Sequence, residues 1–177
     1  DMLELTEFVC TNTMNNGVKD LRGLEYALNL QYLVLSYNQI RDLTPLSTLT
    51  HLTELSLNDN CITGLSALSN LNRLTYLDVH RNKLGNLTGL SGLVNLRSLI
   101  ARLNKISDIS PLSGLIKLET LRLQSNEIAD ISPLSGLVNL TDLSLNSNDI
   151  TDVSALSDLI RLSDLNLADN GLTSIFA

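Results

Sequence analysis

The chain has 177 residues, with 12 Lys+Arg against 19 Asp+Glu and a formal net charge of −7. That length suits one sizeable domain, and the acidic balance argues against nucleic acid as a main partner, since such proteins carry a net basic footprint. No apolar run approaches the ~18 residues of a membrane helix, so this segment is not expected to insert into a membrane.

Residues 1–29 read as a partial N-terminal cap and an atypical first repeat. "LTEFVC" places Leu5, Phe8 and Cys10 at the spacing of a short strand, and "NNGVKDLRGLEYALNL" supplies Asn16, Val18, Leu21 and Leu24 at later slots. The intervening "TNTMN" is about three residues too long for the pattern, which predicts a bulge there. Asp1 is not followed by a basic n-region and an apolar h-region, so no signal peptide is visible, and the start suits a mature or excised piece.

From residue 30 to 177 one unit recurs every 22 residues, beginning at Leu30, Leu52, Leu74, Leu96, Leu118, Leu140 and Leu162, with the last copy truncated at "LTSIFA". Within each complete unit, positions 1, 4, 6, 11, 14, 17 and 20 are apolar. Position 9 is Asn throughout, at Asn38, Asn60, Asn82, Asn104, Asn126, Asn148 and Asn170. L-x-x-L-x-L has the alternation of a short strand with alternate side chains inward. The Asn falls where the chain leaves the strand, where its amide can bond backbone groups of neighbouring coils. "DISPLSGL" and its variants follow. Ser110, Ser132 and Ser154 are placed to cap a helical turn, and Pro45, Pro111 and Pro133 suit its start. The few residues left before the next strand favour a 3₁₀ turn over an α-helix, and Gly92, Gly114 and Gly136 are expected to help the return. Cys10 and Cys61 fall about two coils apart, roughly 10 Å at strand spacing. A disulfide needs Cα atoms within about 7 Å, so both read as free thiols, Cys10 inward and Cys61 in a turn.

The pattern L-x-x-L-x-L-x-x-N-x-I/L-x-x-L/I-x-P-L-x-x-L resembles the leucine-rich repeat. The 22-residue period with "DISPLSGL" and "DLTPLSTL" is similar to internalins and related bacterial surface proteins, and "GLEYALNL" to the segment that opens their arrays. The resemblance implies an α/β solenoid: a right-handed superhelix with a curved parallel β-sheet on the concave face and short 3₁₀ turns on the convex face. It implies a surface or secreted, extracellular setting and a protein or glycan partner, such as a host or neighbouring-cell surface protein. A second resemblance is to Sds22-like, cytosolic regulators of protein phosphatase 1, whose acidic Ile-Glu segment after the Asn turn is missing here. A structural spacer in a larger surface protein is the third reading.

On such a solenoid, strand positions 3, 5, 7 and 8 form an outward grid. Its residues differ from unit to unit, whereas the inward set hardly changes. Tyr32, Tyr37 and Tyr76 fall on this grid, as do Asp78, His80, Arg81, Ile100, Arg102, Leu103 and Arg122, and these ten are the candidate ligand-binding residues. Tyr and Arg are favoured anchors at interfaces. Residues 74–117 carry 6 basic and 2 acidic side chains, against 2 and 9 in residues 118–177, so a basic middle adjoins an acidic end. The unit "LRSLIARLNKISDI" departs from its neighbours, with Ala101 at an inward slot and apolar Ile100 and Leu103 outward. One reading makes Ile100 and Leu103 the apolar centre of a binding site ringed by Tyr76, Arg81, Arg102 and Arg122. The other is a packing or curvature adjustment beside Val79, with Leu103 folding back over the gap.

No Gly-rich phosphate loop, H-E-x-x-H or G-x-S-x-G is present. His51 falls on the return segment, and His80, near Asp78 and Asp59, lacks a placed nucleophile. The Asp-rich turns lack the spacing of a Ca²⁺ loop. The expectation is a non-enzymatic binding module without cofactor or metal.

Overall fold

The computed structural model describes residues 2–12 and 17–174. Asn16 and the final residues of "LTSIFA" lie outside them. Eight three-residue strands form one parallel sheet in sequence order. They are β1 (Glu7–Val9), β2 (Tyr32–Val34), β3 (Glu54–Ser56), β4 (Tyr76–Asp78), β5 (Ser98–Ile100), β6 (Thr120–Arg122), β7 (Asp142–Ser144) and β8 (Asp164–Asn166). The register never slips: position 4 pairs with position 4, as in Leu55↔Leu77 and Leu77↔Leu99. The N-terminal segment joins in the same register, Phe8 opposite Leu33.

The strands are shorter than the L-x-x-L-x-L motif, but inter-coil bonding runs on past them. The amide of Leu57 donates to Asp78 O at 2.7 Å, and that of Asp59 to His80 O at 3.0 Å. Short 3₁₀ turns lie opposite the sheet, at Thr44–Leu46, Ser66–Leu68, Ser110–Leu112, Ser132–Leu134 and Ser154–Leu156. The expected parallel sheet and 3₁₀ turns are both present. Between sheet and turns lies a single leucine core, with Leu55, Leu57, Ile62, Leu68 and Leu71 all fully buried. No unit buries its own apolar side, so each coil borrows its neighbours'. At the last coil that cover ends, and Leu165 is 47% exposed.

The Asn ladder forms as the pattern requires. Asn104 Nδ2 donates to Val79 O of the preceding coil (3.1 Å) and to Ala101 O of its own (3.1 Å), and Oδ1 accepts from Leu84 N (3.0 Å). Asn60, Asn82, Asn126, Asn148 and Asn170 repeat the arrangement. Cys10 and Cys61 are free thiols, and Cys10 packs against the core.

Three local expectations need correction. The serines that open the turns do not cap them through their side chains. The acceptor is the residue two positions earlier: Asp42, Asp108, Asp130 and Asp152 take the amides of Thr44, Ser110, Ser132 and Ser154 at 2.8–2.9 Å. A short carboxylate turned toward the amide two residues on is an Asx-turn, and it accepts a bond the 3₁₀ turn cannot supply internally. Second, Gly114 and Gly136 have open space at Cβ and no positive φ, so the return does not require them, whereas a Cβ at Gly92 would lie 3.1 Å from Ser69 O. Thr48, Asn70 and Asp158 occupy the same slot in other units. Within the complete repeats Gly89 is the demanding glycine. Its φ is +103°, and a Cβ there would lie 2.5 Å from Leu65 O. It sits in the one complete unit that forms no 3₁₀ turn.

Third, position 8 is not a strand position. Tyr37, Asp59, Arg81, Leu103, Ser125, Ser147 and Asp169 all have φ between 53° and 59°. Strict alternation would send position 8 inward. One left-handed residue reverses the phase, so position 8 turns outward and the Asn at 9 turns in. The conformation costs a non-glycine residue about 1–2 kcal/mol, which the Asn bonds offset.

Candidate functional site

The outward side chains of the sheet form three columns along the coils. Position 3 reads Glu7, Tyr32, Glu54, Tyr76, Ser98, Thr120, Asp142 and Asp164 in register. Position 5 runs parallel to it, with Ile100 opposite Asp78 on one side and Arg122 on the other. Position 7 continues just beyond the strand ends.

Tyr32 is exposed and Tyr76 half-buried, with Glu54 between them. Burial raises the Tyr76 phenol pKa, and the charges of Asp78 and Glu54 push it the same way, while Arg122 opposes them. Tyr76 is therefore a neutral hydroxyl at physiological pH, able to donate or accept. Asp78 is buried and accepts from the His80 amide at 3.1 Å; the His80 ring lies 2.7 Å from the same carboxylate through Nδ1. His80 Nε2 stands 3.5 Å from Asp59, and Arg81 approaches Asp59 at 3.5 Å. Ser36 donates to Asn58 at 2.5 Å, and Asn58 donates to Asp59 at 3.0 Å. The result is one polar network across three coils, with Asp78, His80 and Arg81 held within it.

The remaining candidates do not all come together. Ile100 is half-buried on β5, whereas Leu103, 38% exposed, stands on the left-handed turn at the rim. Ala101, at the inward slot of the same unit, is fully buried. Tyr37 and Arg81 share the rim with Leu103. Arg122 is not a free cation, because Nη2 donates to Asp142 at 2.6 Å and Nε at 3.2 Å. Arg102 is half-buried and has no side-chain partner among the described residues.

Glu54, Asn58, Asp59 and Gln124 belong to the same surface and were not among the sequence candidates. Gln124 Oε1 is buried without a hydrogen-bond partner among the described residues, one coil from Arg102. The position-3 and position-7 columns would have included Glu54, Asn58 and Gln124 had every member been weighed, rather than only the Tyr, Arg and apolar ones. Asp59 stands at position 8 of the same grid, next to Asn58. Among the described residues no cluster of His, Cys, Asp and Glu is placed to hold a metal ion, and no helix is long and apolar enough to cross a membrane.

Family models for leucine-rich repeats match residues 28–66, 50–92 and 94–136 as paired copies, and residues 137–157 as a single repeat. Among solved structures, internalin C2 from Listeria monocytogenes is 34% identical, with a TM-score of 0.78, over 94% of this chain and 82% of that one. A leucine-rich repeat protein of Leptospira interrogans is 29% identical with a TM-score of 0.91, over 99% of this chain and 46% of that one. The plant peptide hormone receptor RGFR1, solved in complex with RGF2, is 32% identical with a TM-score of 0.77, over 87% of this chain and 27% of that one. No curated protein sequence matches the chain. The chain belongs to the leucine-rich repeat family and is an internalin-like member of it. Proteins of this class are protein-interaction scaffolds.

Proposed function

We propose that the chain is the binding module of a bacterial surface or secreted protein, engaging a partner protein or a glycan through its concave face. The observation that carries the reading is the contrast between the two sides of the sheet. Position 4 is Leu in β2 through β8, while the outward positions 3, 5 and 7 change in nearly every coil. Tyr32, Tyr76, Ile100 and Arg102 are the anchors this surface offers, with the Asp78–His80–Asp59–Arg81 network beside them. Arg102 lacks an intramolecular side-chain partner among the described residues, so a ligand can bond it without breaking a bond within the chain. The likeness to internalin C2 over most of both chains supports the surface assignment, and the receptor solved with its ligand supports protein or peptide binding.

The test is a paired capture. The parent and a Tyr76→Ala/Ile100→Ser/Arg102→Glu variant, both checked for folding, are immobilised and exposed to surface-protein and cytosolic extracts. A surface protein held by the parent and lost by the variant is the expected result. A phosphatase lost in the same way would transfer the reading to a regulatory scaffold. Identical captures from both proteins would leave a spacer role.

A further inference from the structure

Position 10 follows the buried Asn and is held to the coil before it. The amides of Lys83, Lys105, Glu127 and Asp149 donate to Ile62, Leu84, Ile106 and Ile128 O, each at 2.9 Å. These bonds stack the four residues in one column on the flank of the solenoid, at roughly strand spacing, near 5 Å. All four are exposed, and none has a side-chain hydrogen bond or ion pair among the described residues. The column therefore reads plus, plus, minus, minus. It reverses sign about the point midway between Lys105 and Glu127.

We propose that this flank is a self-complementary interface that pairs two copies of the chain. The two-fold axis lies in the interface, runs from the concave to the convex side, and crosses the column between Lys105 and Glu127. Lys105 of each copy then meets Glu127 of the other, and Lys83 meets Asp149, so every contact occurs twice. Both columns have the same spacing, because both are set by the same inter-coil hydrogen bonds. The axis direction makes the two arcs bend the same way, so both concave faces open to one side and stay free.

The neighbouring column permits close approach. Position 12 reads Gly85, Ser107, Ala129 and Thr151, all small and all exposed. At the convex border Asp108 would face Asp130 of the second copy. Both carboxylates already accept amides, from Ser110 and Ser132. Attraction of this kind is between exposed charges, so it is modest and falls steeply with salt.

The test is the mass of the chain in solution, by sedimentation equilibrium, against concentration and ionic strength. At low salt the mass should climb from the 19.4 kDa monomer toward twice that value, and high salt should return it to monomer. Lys83→Glu/Lys105→Glu and Glu127→Lys/Asp149→Lys should each be monomeric alone, and an equimolar mixture of the two should form heterodimers. Combining all four changes inverts the column and should restore self-association. A wild-type chain that stays monomeric at low salt overturns the proposal. So does association that survives the charge reversals or high salt, which would point to end-on stacking at the open edge of β8. None of these outcomes bears on the concave-face reading, because no residue of that surface is changed.

Discussion

A single Asn per coil does two jobs at once. Its amide donates to carbonyls of its own coil and of the one before, and its oxygen accepts the amide two residues past the Asn of the preceding coil. Asn104→Ala removes bonds to Val79, Ala101 and Arg102 and orphans the Leu84 amide. The expected loss is about 2–3 kcal/mol, read as a lower midpoint in urea with no change in the sheet's circular dichroism before the transition. An unchanged midpoint would mean that water replaces the ladder at no cost. The left-handed residue before the Asn carries the complementary cost. Leu103→Asn should therefore leave stability level or raise it slightly, since Asn tolerates this backbone better than Leu.

At the scale of the element, the convex turns separate what a sequence pattern reveals from what it hides. The 3₁₀ turns and their prolines follow from segment length and the fixed φ of proline. The pattern alone points to Ser as their cap, because Ser at a turn start is a common cap. The Asp two residues earlier wins because a carboxylate reaches the amide two residues on, whereas the Ser that supplies that amide cannot also be its acceptor. Glycine misled for the related reason that a recurring letter is not a recurring need. Gly114 meets nothing at Cβ, while Gly89, outside the recurring slot, is pinned by the backbone of the preceding turn. Gly89→Ala should cost about 2 kcal/mol or more, from the positive φ and the contact with Leu65 together. Gly114→Ala should be neutral or stabilising by about 0.5 kcal/mol. Equal melting temperatures for the two variants would contradict the assignment.

The Asx-turns also set a pH dependence. Hydrogen bonds from Thr44 and Ser110 lower the Asp42 and Asp108 pKa, chiefly through their side chains, and the amides of Ser132 and Ser154 lower Asp130 and Asp152. A carboxyl with a lower pKa in the folded state stabilises the fold fully above its unfolded pKa. That stability drains away as pH falls through the ordinary value of 3.8 and on to the folded value. The melting temperature should thus fall on acidification through this window. Asn at all four positions keeps the acceptor without the titration, and should flatten that fall. A parallel decline in parent and variant would place the acid sensitivity elsewhere.

For the whole molecule, the 22-residue period made the fold legible almost completely, because every inward slot is filled in every unit and only a stack can bury them all. The binding surface was legible as a place but not as an arrangement. Strand alternation assigned Ile100 correctly to the outward face, yet it could not separate Leu103 from it, since one left-handed residue moves Leu103 to the rim. Nor could it show that Arg122 is engaged by Asp142, a diagonal contact between columns that depends on side-chain reach. The central claim is that the concave face holds the partner. The most direct measurement places a photoreactive residue at Ile100 on the concave face, or at Ser113 on the exposed convex border, and irradiates each protein in the same surface-protein extract. A discrete crosslinked partner from Ile100 and none from Ser113 is the predicted result. The same partner captured from Ser113 alone would contradict the account and move the site to the other side of the solenoid.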